Sequence, residues 1–246
     1  MSAAADLLDG FDIITPESFG RHGYPHEQWK QLRAESPVHY YGDAELPFWA
    51  ITKHEDVTAI GRQPELFLSE PRIFVKADFQ EMSDELGFER PRTLIEQDLP
   101  RHRTSRKLIS DHFTPRALKK IHGDVERIAK KIVDDLLAQG DEVTLDFVEH
   151  VSAPLPIAVI GWLLGVPEED WNLLYDWTNR QIGMDDPEYQ PEDENEGRTA
   201  MIEMFTYFTQ MVEERKKNPQ QDLITLFAHA EENGEPLPLL DMLAWC

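Results

Sequence analysis

From Pro100 onward the apolar residues recur every three or four positions, a period that confines this part of the chain to packed α-helices. The clearest run is Pro115–Gln139. Thr114 is a natural N-cap, Pro115 suits the first helical position, and Gly140 supplies a stop. Leu118, Ile121, Val125, Ile128, Ile132 and Leu136 fall on one face. Further helices are expected over Val143–Gly165, interrupted near Pro154 and Pro156, and over Pro167–Gly183. Met201–Lys217 should follow with Met204, Phe205, Phe208, Met211 and Val212 on one face, then a short helix over Asp222–Glu232. Met184–Gly197 is acidic, holds two prolines and reads as a loop, and Gly234–Pro238 reads as a turn. Leu239–Cys246 opens a new apolar helix. Its Leu239, Leu240, Met242, Leu243 and Trp245 are expected to need partners outside this sequence, which reads as a truncation.

The first hundred residues are mixed. Pro37–Tyr41 and Pro47–Lys53 are rich in β-branched and aromatic residues, with Gly42 and Asp43 between them as turn signals, so a small antiparallel hairpin is expected. His54–Gln63 reads as a short helix with Val57 and Ile60 inward. Leu68–Gln97 has no clear period and mixes Phe74, Val75, Phe79, Leu86, Phe88, Leu94 and Ile95 with charges. A long irregular segment of that kind is often a binding loop. The fold class is therefore mainly α with a small antiparallel β-sheet near the N-terminus. One domain over residues 1–246 is expected: a β-rich part at about 37–53, a loop at about 68–97 and a helical part from about 99 onward.

Composition removes several functions. A net charge of −23, from 24 basic and 47 acidic residues, opposes binding to nucleic acid or to anionic membranes. No apolar run has the length of a membrane span, and Met1–Asp12 lacks the basic and apolar regions of a signal peptide, so a cytoplasmic protein is expected. The one cysteine, Cys246, permits neither an internal disulfide nor a zinc cluster of cysteines. There is no Gly-rich phosphate loop, no His-Glu-x-x-His and no Gly-x-Ser-x-Gly. His22 and His26 are separated by Pro25, which disfavours a shared metal. No carboxylate pair stands out as a general acid and base.

One region runs against the acidic trend. Arg101, Arg103, Arg106, Lys107, Arg116, Lys119 and Lys120 cluster within twenty residues, with Asp111 the lone acid among them. Such an island either lies as a solvated helix face or meets an anionic partner: a carboxylated cofactor, an acidic protein or the chain's own acidic surface. Within it His102 and Arg106 are four apart on an expected helix. They share a face and can grip one carboxylate, or a neighbouring pair.

The wider segment is more specific. Asp98-Leu-Pro-Arg-His102-Arg-Thr-Ser-Arg106, followed after six residues by Phe113-Thr114-Pro115, resembles the C-helix motif of bacterial cytochromes P450. Phe48–Val57 resembles the early strand and B-helix entry of that family, and Phe67-Leu-Ser69 the Phe-x-Ser after it. Leu163–Asp170 resembles its E-to-F junction, and Asp222–Leu237 the approach to its long I helix. The resemblance runs from about residue 10 to residue 246 and implies the P450 fold cut at the start of the I helix. It implies that His102 and Arg106 bind the propionates of haem b. It also makes residues 68–97 the B–C loop, with Phe74, Val75, Leu94 and Ile95 lining a substrate pocket, and 184–197 the F–G loop.

By the same resemblance the family's activity is monooxygenation of a lipophilic small molecule with O2 and electrons from a ferredoxin. Lys107, Arg116 and Lys119 would help to dock that donor. Phe48–Lys53 and Asp186–Tyr189 look most like the subgroup that oxidises steroids or terpenes. Three family features fall outside residues 1–246: the I-helix Ala-Gly-x-x-Thr, the K-helix Glu-x-x-Arg and the loop carrying the thiolate cysteine. Cys246 has no chain after it to aim its sulfur. The expectation is that this chain alone is inactive and prone to aggregate. The alternative is a haem-free helical interaction module derived from the same fold.

Overall fold

A computed structural model describes residues 12–70, 75, 93–140, 142, 144–182, 196–232 and 234–246. They belong to two compact units, Met1–His102 and Arg103–Cys246.

In the first unit, α1 (Pro16–His22) starts with a proline where a missing N–H costs nothing and ends at Gly23. Helix α2 (His26–Glu35) follows and buries Leu32 completely. The expected hairpin is present: β1 (Val38–Tyr41) pairs antiparallel with β2 (Phe48–Ile51), Val38 opposite Ile51 and Tyr41 opposite Phe48. Alternation does the sorting. His39, Tyr41 and Ala50 are buried, while Val38, Tyr40 and Trp49 are exposed. Helix α3 (His54–Gly61) is where the sequence put it, but Val57 is exposed, not inward.

Helix α4 (Arg101–Ser110) crosses the division between the units. In the second unit, α5 (Pro115–Leu137) has the expected cap: the Thr114 hydroxyl accepts the Ala117 N–H at 3.3 Å. Ile128 is the buried centre of its apolar stripe. The helix expected from Val143 starts later. A π-turn (Val148–Ser152) leads into α6 (Pro154–Leu164), because Pro154 and Pro156 are tolerated only in a first turn. Gly165, with φ +81°, stops α6. A 3-10 turn (Glu168–Asp170) precedes α7 (Trp171–Ile182), and α8 (Glu196–Lys217) begins five residues ahead of the expected Met201. Residues 184–195 of the expected loop lie outside the described residues.

Helix α9 is shorter than Asp222–Glu232. It spans Leu223–Ala228, after which β3 (Glu231–Glu232) and β4 (Glu235–Pro236) form a small hairpin in place of a plain turn. Helix α10 (Leu239–Trp245) corrects another expectation. Met242 and Leu243 are buried within this unit, and Trp245 sets its ring edge-on to Phe227 at 5.9 Å, while Leu239 and Leu240 stay exposed. The core joins Leu164 of α6, Leu174 and Trp177 of α7, Phe208 and Val212 of α8, Ile224 and Phe227 of α9, and Met242 and Leu243.

Two close approaches hold this core. The Trp171 indole lies against Gly161, where a Cβ would sit 2.5 Å from Trp171 Cδ1, and its Nε1 donates to the Val166 carbonyl at 3.0 Å. Arg215, nearly buried on α8, donates from Nε to Asp222 at 2.6 Å, from a terminal nitrogen to the Gly165 carbonyl at 3.0 Å, and from the other to Glu214 at 2.7 Å.

Candidate functional site

The site is built around the entry to α4. Thr93 and Glu96 form a reciprocal cap around a 3-10 turn (Leu94–Glu96): the Thr93 N–H and hydroxyl donate to Glu96 at 3.0 and 2.9 Å, and Glu96 is buried. That cap fixes the turn carrying Leu94 and Ile95. Asp98 comes next. Its two carboxylate oxygens accept the backbone N–H groups of Ser69 and Glu70, each at 2.9 Å, and its carbonyl accepts the His102 N–H at 2.8 Å.

A cavity of about 400 Å³ opens here, lined by Ile60, Phe67 and Leu68 on one side and by Leu94, Ile95, Asp98 and His102 on the other. The structure thus brings together three residues singled out in the sequence: Leu94, Ile95 and His102. Arg106 lies one turn further along α4, on the face that carries His102, and is exposed. Neither side chain has a hydrogen bond or ion pair with a described residue. Two donors one turn apart on a helix, one of them a planar guanidinium, suit an anionic group, and the apolar residues that line the cavity with His102 suit an apolar body.

Val75 lines a different cavity, of about 560 Å³, with Tyr40, Tyr41 and Phe48. Phe74 lies outside the described residues. Lys107, on α4, and Arg116 and Lys119, in the first turns of α5, are exposed and unpaired among the described residues. A third cavity, of about 540 Å³, lies between α5, α6 and α7 and holds none of the site residues expected from the sequence. Its rim carries Glu168, which accepts from Arg127 and Lys131 at 3.1 Å each. These two bonds, Lys131 first, hold the Glu168 carboxyl below its ordinary value of 4.5.

Cys246 ends α10. Its Sγ donates to the Met242 carbonyl at 3.2 Å, and burial pushes the thiol up to about 12. Among the described residues no group of histidines, cysteines and carboxylates is arranged to hold a metal ion, and no helix is long and apolar enough to cross a membrane. Sequence reasoning missed the carboxylate of Asp98, whose partners lie 29 and 28 positions away. It also missed the Thr93-x-x-Glu96 cap, which had a legible spacing.

A short N-terminal sheet, a capped turn leading into the histidine- and arginine-bearing α4, and the following succession α5 to α10 define a cytochrome P450 fold. A cytochrome P450 of Mycobacterium marinum, solved with pseudoionone, superposes with a TM-score of 0.84 at 28% identity, over 96% of this chain and 58% of that one. Among curated proteins, a steroid C26-monooxygenase of Mycolicibacterium smegmatis is 34% identical over 220 residues, 87% of this chain and 50% of the relative. The linalool 8-monooxygenase of Pseudomonas putida is 32% identical over 242 residues, 94% of this chain and 57% of the relative. No protein-family model matches the sequence. The chain belongs to the bacterial cytochrome P450 family, and it spans about half the length of the curated relatives it matches.

Proposed function

We propose that the chain contributes the propionate grip and part of the substrate pocket of a haem-dependent monooxygenase acting on a lipophilic small molecule of the steroid or terpene kind. The observation that carries this reading is His102, unpaired among the described residues and lining one cavity with Leu94 and Ile95, with Arg106 one turn further along the same helix. Their chemistry fits the two carboxylates of haem b, which the imidazole and the guanidinium would hold through charge-assisted hydrogen bonds. Bound haem supplies the oxygen and redox chemistry. Leu94 and Ile95 would exclude water from the reacting face and favour an apolar substrate. The similar proteins named for steroid and linalool oxidation support the substrate class.

Lys107, Arg116 and Lys119 are exposed cations on a strongly acidic chain, which suits an acidic ferredoxin as electron donor. Cys246 is a half-buried thiol whose Sγ donates to the Met242 carbonyl of its own helix, an engagement that iron ligation would have to break. On this reading residues 1–246 taken alone are inactive as a haem-thiolate enzyme.

Haem titration of the chain followed in the Soret band tests the grip. His102→Ala and Arg106→Ala should each weaken binding by about tenfold or more, the loss of one charge-assisted hydrogen bond. Unchanged affinity in both variants, or no binding by the folded wild-type chain, overturns the cofactor reading. A carbon-monoxide difference spectrum after dithionite tests the rest: the red-shifted band of a ferrous haem-thiolate would show that Cys246 reaches the iron and overturn the inactivity.

A further inference from the structure

We infer that Asp98 is a positioning residue for His102: its carboxylate bolts the backbone at residues 69–70 to the entry of α4 and so sets where the imidazole stands in the cavity wall. The inference rests on His102 being a carboxylate donor and deepens that reading.

One residue serves three backbone donors. The Asp98 side chain accepts from the amides of Ser69 and Glu70 at 2.9 Å each, and its carbonyl accepts from His102 at 2.8 Å. Consecutive amides converging on one carboxylate are charge-assisted bonds with a fixed direction. The partners are 29 and 28 positions distant, so no local turn provides this contact by itself. The bolt is also part of the cavity. Leu68 and Ser69 line one side of the 400 Å³ space, Asp98 and His102 the other, so a shift at the bolt changes the space that His102 faces. Asparagine keeps one acceptor oxygen but turns an NH2 group toward the second amide. Alanine keeps neither.

The test uses amide hydrogen exchange and histidine ring resonances of the whole 246-residue chain, both independent of haem. Asp98→Ala should raise exchange at Ser69 and Glu70 by about tenfold or more, as expected for lost bonds to a charged acceptor. It should also move the His102 ring resonances while the other histidines keep theirs. Asp98→Asn should give smaller changes of both kinds, a partial rescue, and carries the test if the alanine variant does not fold. His102→Ala should leave exchange at Ser69 and Glu70 unchanged. Unaltered exchange in the Asp98 variants, or raised exchange with unmoved His102 resonances, overturns the positioning role. If His102→Ala and Arg106→Ala both leave haem affinity unchanged, the cofactor reading fails by itself, whatever the exchange shows.

Discussion

Replacing Asp222 with alanine should cost the second unit about 3–5 kcal/mol. One oxygen of Asp222 caps α9, accepting the Thr225 N–H at 2.7 Å, and loss of such a cap costs about 1 kcal/mol. The other takes Arg215 Nε at 2.6 Å, with the two side chains 4% and 9% exposed. A guanidinium left buried without its carboxylate typically costs about 3–5 kcal/mol. Arg215 keeps the Gly165 carbonyl and the half-exposed Glu214, which offsets part of that loss and holds the total near the ion-pair figure. The assay is urea unfolding of the whole chain at neutral pH, followed by far-ultraviolet circular dichroism. Arg215→Met combined with Asp222→Ala should be less damaging than Asp222→Ala alone, because no charge is then stranded. Gly165→Ala adds a second check. Its φ is left-handed and its Cβ would overlap the Asp222 carboxylate, so it should cost more in the wild-type chain than in Asp222→Ala. A loss below about 1 kcal/mol for Asp222→Ala would refute the reasoning, since it would be no larger than the cap alone.

Two further outcomes follow from titratable groups. Glu168 has its pKa lowered by Lys131 and Arg127, so its contribution is present above the ordinary value of 4.5 and is lost as pH falls through the lower folded value. Glu168→Gln should cost under about 1 kcal/mol at neutral pH, because the pair is half-exposed, and the gap to wild type should close in acid or high salt, read by urea unfolding. Tyr207 donates to Asp170 at 2.6 Å, and burial, then that bond, raise its phenol above the ordinary 10.0. Tyr207→Phe should cost about 1–3 kcal/mol at neutral pH, and the difference should shrink above pH 10, where the unfolded phenol ionises.

What the sequence disclosed follows from range. The Thr114–Pro115 start of α5 and the β1–β2 alternation are written within a few neighbouring residues, and both elements formed as read. The His102–Arg106 pair was legible for the same reason: four positions on a helix fix a shared face whatever packs around it. The position of His102 was not, because it depends on Asp98 reaching residues 69 and 70. Nothing local marks Arg215 for burial, because its partners are a helix stop fifty residues earlier and a cap seven residues later. Leu239–Trp245 looked unpartnered because Phe227 and Val212 are distant in sequence, yet they lie in one core with Met242 and Leu243.

The contact between Gly161 and Trp171 also limits the order in which the two positions can change. A side chain at 161 would run into the indole, and the indole is held in turn by its bond to Val166. Descendants of this chain can therefore change the two positions in one order only. A smaller residue must first arrive at 171, giving up the hydrogen bond, before anything larger than glycine becomes acceptable at 161.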